Sequence, residues 1–410
     1  MRESLNLLML EYISGGGYSG RKLSSSILSE AYGMLRCLIS DFKASGHNIT
    51  TLMDSRLMAF NAPVESDRIV PVCSRDEVYE KLKEISGLVD GVYVIAPESG
   101  QVLEKLLKTV EMSNGKSLNC ESGSVKLVSN KMQAYQIFEK SGLRVPETVL
   151  VDTEEEIANI RDLVNDLGYP LIIKPLDGVS CGGLSIVKNG NEIASALKKI
   201  VQESARKQFV AQKLIMGKAV SACVFSTGEK AMAVSLNKQH VILSSPNGES
   251  SYRGGVVPFN HSKQREALEA AEKAVEAVKG LKGYVGVDMI LTDEEPVVIE
   301  VNPRLTASYI GLSRVANVNT AEAIIDAVNK RKLPKDIRTR GYSFFSKVVV
   351  PSNPVGLYKT YNLKGVITPP FPVEEKEAYA LVSSYSRTVR GALSAFYQTK
   401  RQLLSLYKGD

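Results

Sequence analysis

The chain has 410 residues, 44% of them hydrophobic and 23% charged, which excludes a disordered chain, a collagen-like repeat and a small disulfide scaffold. At domain sizes of ~100–200 residues, that length makes roughly two to four folding units with ample cores. Lys plus Arg number 51 against 45 Asp plus Glu, and the net charge of +6 suits an anionic small ligand as well as a nucleic acid; no Lys/Arg run with interleaved aromatics supports the latter.

The first ~120 residues alternate strands and helices, which predicts a parallel sheet covered by helices. Residues 5–12 form a compact apolar strand that ends in a glycine-rich loop, 14–20. A helix over 27–42 carries Ile27, Ala31, Met34, Leu35, Leu38 and Phe42 at helical spacing. Strand 49–53 ends at Asp54, helix 77–85 follows, and strand 91–96 is closed by Pro97. A helix over 102–110 and a short strand over 117–119 complete this part.

From residue 128 the texture changes. Residues 131–140 form a helix ended by Gly142. Thr153 is read as the cap of a helix with Glu154, Glu155 and Glu156 in its first turn, ended by Gly168. Strand 170–175 leads into the glycine-rich loop 177–183, then strand 184–187 and helix 192–207. Segments 209–214, 220–225 and 231–236 read as antiparallel strands, and 263–279 as a helix. Strands 285–291 and 297–301 flank a turn at 292–296. The tail has strands near 343–350 and 378–384 and a basic helix over 388–407, read as a solvated face packed on the core.

The five cysteines, Cys37, Cys73, Cys120, Cys181 and Cys223, are scattered and lack C-x-x-C spacing, as expected of free thiols in a reducing compartment. His47, His240 and His261 are too few to favour a three-histidine metal cage. No run of ~18 apolar residues exists, so no membrane span is expected. The apolar run 5–10 is shorter than a secretory signal requires. These readings place the protein in the cytoplasm.

Gly15-Gly16-Gly17-Tyr18-Ser19-Gly20 formally satisfies the dinucleotide fingerprint G-x-G-x-x-G. However, the helical pattern starts only near Ser25, and Asp54 lies 34 residues past Gly20, where ~20 is expected. The same stretch misses a P-loop because Arg21 intrudes before Lys22. A substrate loop at the carboxyl edge of the sheet is the better functional reading.

A stronger constellation lies between residues 131 and 304. Asp288 interrupts an apolar strand, and Glu300 and Asn302 share one face of the next. A turn between the strands sets the three together, and oxygen ligands of this kind suit a hard cation with substrate phosphates. Lys174 stands in an otherwise apolar strand, where a lysine needs an anionic partner. The glycines that follow let backbone N–H groups approach phosphate oxygens. Lys131, by itself, reads as a solvated surface lysine. Together with Lys174 and the acids it suggests a triphosphate between cationic and metal-bearing walls.

These motifs resemble the ATP-grasp superfamily of carboxylate–amine ligases. The matching pieces are Asn130-Lys131, Ile173-Lys174-Pro175, the glycine-rich loop, the run from Gln212 to Gly217, Asp288, and Glu300-Val301-Asn302-Pro303-Arg304. Within it, the chain is similar to the archaeal tyramine–glutamate ligases of methanofuran biosynthesis and their relatives. That likeness rests on Leu10-Glu11-Tyr12 with the three glycines, Ser29-Glu30-Ala31-Tyr32-Gly33-Met34-Leu35, Ile95-Ala96-Pro97-Glu98, Tyr252-Arg253-Gly254-Gly255, and Thr306 to Gly311. It covers about residues 5–335 and, more loosely, the tail.

The resemblance implies an α/β fold, α+β in its central part: an ATP-grasp fold preceded by a Rossmann-like parallel-sheet domain. The implied units are 1–120 (pre-ATP-grasp), 121–208 (first ATP-grasp subdomain), 209–338 (second, with the metal site) and 339–410 (strands and helix). It implies that Lys131 and Lys174 contact ATP phosphates and that Asp177, Gly178, Gly182 and Gly183 close over them. Ala211, Gln212, Lys213 and Leu214 would offer hinge backbone to adenine. Asp288, Glu300 and Asn302 would hold Mg2+ or Mn2+. Arg304, with Lys174, would act on the transferring phosphoryl group. Glu11, Gly15, Gly16, Glu98, Arg253, Gly254 and Gly255 would face small carboxylate and amine substrates.

Two positions depart from the pattern. Related ligases often carry an acid for the ribose two residues after the glycine matching Gly217, and many carry an arginine two residues before the metal aspartate. Here Ala219 and Gly286 stand in those places. The expected function is an ATP-dependent ligase forming a C–N bond, with no nucleic-acid or membrane partner and a homo-oligomer left open. The alternatives are an ATP-binding regulator without turnover and a nicotinamide-dependent oxidoreductase using the N-terminal glycines. A nucleic-acid binder using Arg387, Arg390, Lys400 and Arg401 of the tail is a further one.

Overall fold

The computed structural model describes residues 3–178, 181–204, 206–374 and 376–407. Val179 and Ser180 of the glycine-rich loop lie outside the described residues.

The N-terminal layer is a four-stranded parallel sheet of β1 (Asn6–Glu11), β2 (Asn48–Asp54), β3 (Arg68–Val72) and β4 (Gly91–Ile95), in the order β3-β2-β1-β4. Every residue of β1 from Leu7 to Glu11 is buried, as a central parallel strand covered on both faces requires. β3 does not stand out in the sequence: it is a sheet-edge strand, its exposed and buried residues mixed and Pro71 among them. Residues 117–119 make only an isolated bridge from Ser117 to Val92.

Helix α1 (Ser25–Ala44) buries Leu28, Ala31, Leu35, Leu38 and Phe42. Ile27, expected on that stripe, is exposed, and Leu28 takes its place. The other side of α1 meets the C-terminal part of the chain. Thr368 Oγ1 donates to Ser29 O at 2.6 Å, and Arg36 Nη1 donates to Ile367 O at 2.8 Å.

A second sheet, β5-β8-β6-β7, is antiparallel and has a hydrophobic core of its own. It comprises β5 (Thr148–Asp152), β6 (Leu171–Pro175), β7 (Ser185–Val187) and β8 (Gln208–Lys213). Helices Ile157–Asn165 and Ile193–Glu203 supply much of that core. The first starts at Ile157, so Thr153 is not its cap. Thr153 is instead tied to Lys207 O through its backbone N–H and its hydroxyl.

The third sheet has eight strands, in the order β13-β12-β9-β10-β11-β14-β16-β15. They are β9 (Lys218–Thr227), β10 (Ala231–Ile242), β11 (Ser251–Val257), β12 (Lys282–Leu291), β13 (Pro296–Asn302), β14 (Tyr342–Pro351), β15 (Val366–Thr368) and β16 (Glu377–Ser386). Two boundaries read from the sequence cut through sheets. β8 lies with β5 and β6, not with the strands after 209, and the strands after 339 extend the large sheet through the β11–β14 pairing. One core runs from β1 and α1 through the large sheet to Phe371 and Leu381. Among the described residues no helix is long and apolar enough to cross a membrane.

Candidate active site

A cavity of about 760 Å³ opens where the three layers meet. It is lined by Lys131, Lys174, Gly178, Gly182, Gln212, Lys213, Leu214, Asp288, Glu300, Asn302 and Arg304, so eleven residues expected to act together do converge.

β12 and β13 pair antiparallel with Asp288 opposite Glu300 and Gly286 opposite Asn302, so the hairpin brings the three donors to one place. Asp288 Oδ2 accepts from Asn302 Nδ2 at 3.0 Å and Oδ1 from Gln239 Nε2 at 2.8 Å. Burial, with the Glu300 charge added, pushes the Asp288 carboxyl up to about 7. Glu300 is partly buried, and Lys131 and Lys174 outweigh the desolvation and hold it below the usual range. Asn302 spends its N–H on Asp288, which leaves its amide oxygen for a cation. Among the described residues no cluster of three or more His, Cys, Asp or Glu is present. Two carboxylates and an amide oxygen fit Mg2+, which takes few protein ligands and leaves the rest of its octahedron to phosphate and water.

Asn130 caps helix Lys131–Lys140 by accepting from the N–H groups of Met132 and Gln133, which sets Lys131 at the first helical position. Its side chain is 5% exposed, so it is not a solvated surface lysine. Lys131 Nζ donates to Gly178 O at 2.8 Å and pairs with Glu300 Oε1 at 3.1 Å. Lys174 is 6% exposed and donates to the Tyr135 hydroxyl at 2.9 Å; that hydroxyl donates to Ile299 O. Burial lowers the Lys174 ammonium against the pull of Glu300 and Asp288. Arg304 pairs with Glu98 at 2.9 Å, and Nη1 donates to Leu305 O.

The remaining expected residues are placed elsewhere. Asp177 binds Gly100 N and Ser204 Oγ, both at 3.0 Å, and pairs with Arg206, which anchors the loop to the N-terminal layer. Gly183 has φ +71°, and a Cβ there would lie 2.7 Å from Pro175. Ala211 is buried between Val149 of β5 and Ile173 of β6. The stretch after β8, through Ile215, Met216 and Gly217, borders the cavity instead.

Glu11 is not turned to a substrate. Its carboxylate accepts from the N–H groups of Ile13 and Ser14 and from the Ser14 hydroxyl, which closes the tight turn Ile13–Gly17. Gly15 and Gly16 are buried in that turn; Cβ atoms there would meet Leu10 and Val72 at 2.7 and 2.6 Å. The N–H groups of Ile13, Ser14 and Gly17 are spent on Glu11 and Tyr12, which takes three donors of the turn from the dinucleotide reading. Arg253 is exposed and does not line the cavity. Gly254 and Gly255 let β11 approach its neighbours: Cβ atoms there would lie 2.0 Å from Phe345 O and 2.4 Å from Lys238 O.

The two departures also have places. Ala219 borders the cavity, and the neighbouring Lys218 turns to His261 Nε2 at 3.0 Å. A Cβ on Gly286 would lie 2.4 Å from Thr306 Cγ2, so the room for an arginine is filled by Thr306.

Residues absent from the sequence expectation also contribute. Tyr135 stands four residues after Lys131 on one helix face, a spacing that signals contact. Gln239 reaches Asp288 across β9, and only sheet order reveals it. Glu30 and Tyr252 line the cavity too. Both lie in motifs that carried the resemblance without a role.

Comparison with known proteins agrees with this fold. Residues 47–125 match the pre ATP-grasp 3 domain and residues 128–308 the ATP-grasp domain. The tyramine–L-glutamate ligase of Methanocaldococcus jannaschii is 27% identical over 332 residues, 80% of this chain and 90% of that protein. The biotin carboxylase of Campylobacter jejuni superposes with a TM-score of 0.71 at 14% identity, covering 99% of this chain and 96% of that one. The N5-carboxyaminoimidazole synthase of Aspergillus clavatus, bound to ADP and 5-aminoimidazole ribonucleotide, gives 0.67 at 18% identity over 98% and 99%. At these identities the structures speak for the fold alone.

Proposed function

Since this chain carries the ATP-grasp fold and resembles the archaeal tyramine–L-glutamate ligases, we propose that it is an ATP- and Mg2+-dependent ligase joining a carboxylate to an amine. The observation that carries the reading is the convergence of two buried lysines, an acid pair and a partly buried arginine from separate layers on one cavity. A carboxylate at neutral pH is a poor electrophile. Transfer of the γ-phosphoryl group to its oxygen releases ADP and creates a leaving group. The amine nitrogen then attacks the acyl carbon, loses a proton, and phosphate departs.

Lys131 and Lys174 hold phosphate oxygens, and the backbone at Gly178 and Gly182 covers them. Arg304, held by Glu98, meets the charge on the transferring group. Such positioning and charge neutralisation supply most of the catalysis in phosphoryl transfer. Asp288, Glu300 and Asn302 hold the divalent cation, Mg2+ or Mn2+, which when bound neutralises phosphate charge. By analogy with the named relatives, the carboxylate is the γ-carboxyl of glutamate and the amine is tyramine or another small amine. Free thiols and the use of ATP support a cytoplasmic reaction.

The test is ADP release from ATP and Mg2+ with glutamate and a panel of small amines that includes tyramine. Release that requires both partners supports the ligase. Glu300→Ala is expected to lower it by about 100-fold or more with little change in melting temperature; turnover near the parent rate overturns the site. Ala219 and Gly286 favour one second reading, an ATP-binding regulator. That reading wins if ATP binds and no pair releases ADP.

A further inference from the structure

The cavity has an acid that the phosphate chemistry does not use. Glu30 sits on the second turn of α1, in the N-terminal layer, and lines the same cavity as Asp288 and Arg304. It is 14% exposed. Its Oε1 pairs with Lys347 Nζ of β14 at 2.5 Å, and Lys347 also donates to Ser26 Oγ at 3.0 Å. The other oxygen, Oε2, has no partner among the described residues. A carboxylate fixed through one oxygen and open at the other is a receptor for a cation. The Cys181 thiol of the glycine-rich loop and the Tyr252 hydroxyl both feel the charges of Glu30 and Asp288, which puts Glu30 near the acid cluster. Met34, one turn further along α1, also lines the cavity and offers an apolar surface beside the acid.

The pair with Lys347, whose side chain is 18% exposed, ties α1 to β14 and uses one carboxylate oxygen. Asp288 is held by Gln239 and Asn302 and Glu300 by Lys131, and Glu30 makes none of these contacts. The ligase reading requires a second substrate beside the phosphates, and the substrates of a carboxylate–amine coupling include molecules that carry a primary ammonium.

We propose that Glu30 recognises the primary ammonium of a substrate, an α-amino acid or a small amine, beside the phosphate-binding groups, with Lys347 as its positioning residue. The inference rests on the ligase reading for the choice of ligand class, but its test does not depend on turnover.

The experiment is calorimetric titration of the full chain, with Mg2+ and a non-hydrolysable ATP analogue, using L-glutamate, glutarate, tyramine and 4-ethylphenol as probes. Glutarate and 4-ethylphenol are the two ligands without their nitrogen. The parent protein is expected to bind at least one of L-glutamate and tyramine, and to prefer it to its nitrogen-free counterpart. The preferred pair identifies whether the ammonium belongs to the amino acid or to the amine. Glu30→Gln is expected to weaken that probe by about 10- to 100-fold and to erase the preference. Glu30→Asp keeps the charge and should retain part of the affinity. Binding of the ATP analogue shows that each variant is folded.

Equal affinity of the probe for parent and Glu30→Gln overturns the proposal, as does a parent protein that binds neither nitrogen-bearing probe. Failure of the ligase reading looks different: a Glu30-dependent ammonium site with no ADP release for any substrate pair.

Discussion

At Asp41 the fold holds a carboxyl that is hard to ionise. It lies on α1, where the hydroxyls of Tyr309 and Thr320 both donate to Oδ2, at 2.7 and 2.9 Å. Burial, only partly offset by those bonds, raises it from 3.8 to about 6. A carboxyl with a raised folded pKa binds its proton more tightly when folded, so its contribution to stability is full below the unfolded value and lost as pH climbs to the folded one. Stability is therefore expected to fall between about pH 4 and pH 6, by roughly 1–3 kcal/mol once solvent access is allowed for. Asp41→Asn should flatten that interval in urea titrations at several pH values, and an unchanged slope would count against the assignment. Glu300 is the opposite case: Lys131 and Lys174 keep it ionised despite burial, so it is ready for a cation at neutral pH.

The hairpin of β12 and β13 shows how an element constrains its own chemistry. It needs Gly286 because Thr306 packs directly over that backbone. Gly286→Arg restores the side chain that many related ligases carry, but it is expected to destabilise by about 1–3 kcal/mol through overpacking and to bring no gain in ATP affinity. Thermal melting and nucleotide titration of Gly286→Arg, alone and with Thr306→Gly, check this; the double variant should recover part of the loss. Gly33 plays a similar part in α1. A Cβ there would lie 2.6 Å from Leu381 Cδ2 and 2.9 Å from Thr368 Oγ1, so the helix that bears Glu30 is seated closely on the C-terminal strands.

On the scale of the whole molecule, the cavity is a meeting of unequal layers. The N-terminal sheet and the large sheet share one continuous core, whereas the small sheet of β5 to β8 has a separate one. A unit with its own core can move as a body, and its tie to the N-terminal layer runs through Asp177 and the Gly100 N–H. Addition of an ATP analogue with Mg2+ is expected to slow amide exchange in β6 and β7 by about 10-fold or more, with little change in β1 or β9. Equal slowing everywhere would show global stabilisation instead of closure of the small sheet. The tail also gains a purpose at this scale. β15 and β16 extend the large sheet and clamp α1 from the side opposite the N-terminal strands.

Chain-local rules were enough to find the apolar run of β1, the lysine inside β6 and the acids of the β12–β13 hairpin. A strand's period of two, a turn of a few residues and the cost of a lone buried charge all act between residues close in sequence. The same rules missed β3, which is short and partly exposed, and misjudged the glycines at 15 and 16, whose reason is the packing of Leu10 and Val72. They also missed Gln239 and Glu30. Gln239 reaches Asp288 only because β9 lies between β10 and β12, and Glu30 enters the cavity only because α1 is seated between two sheets whose strands lie more than 300 residues further along the chain at their far end. The donor types were thus written locally. Which of them share a cavity was settled by sheet order and helix packing, because long-range contacts depend on the register of whole elements and not on the spacing of residues within one.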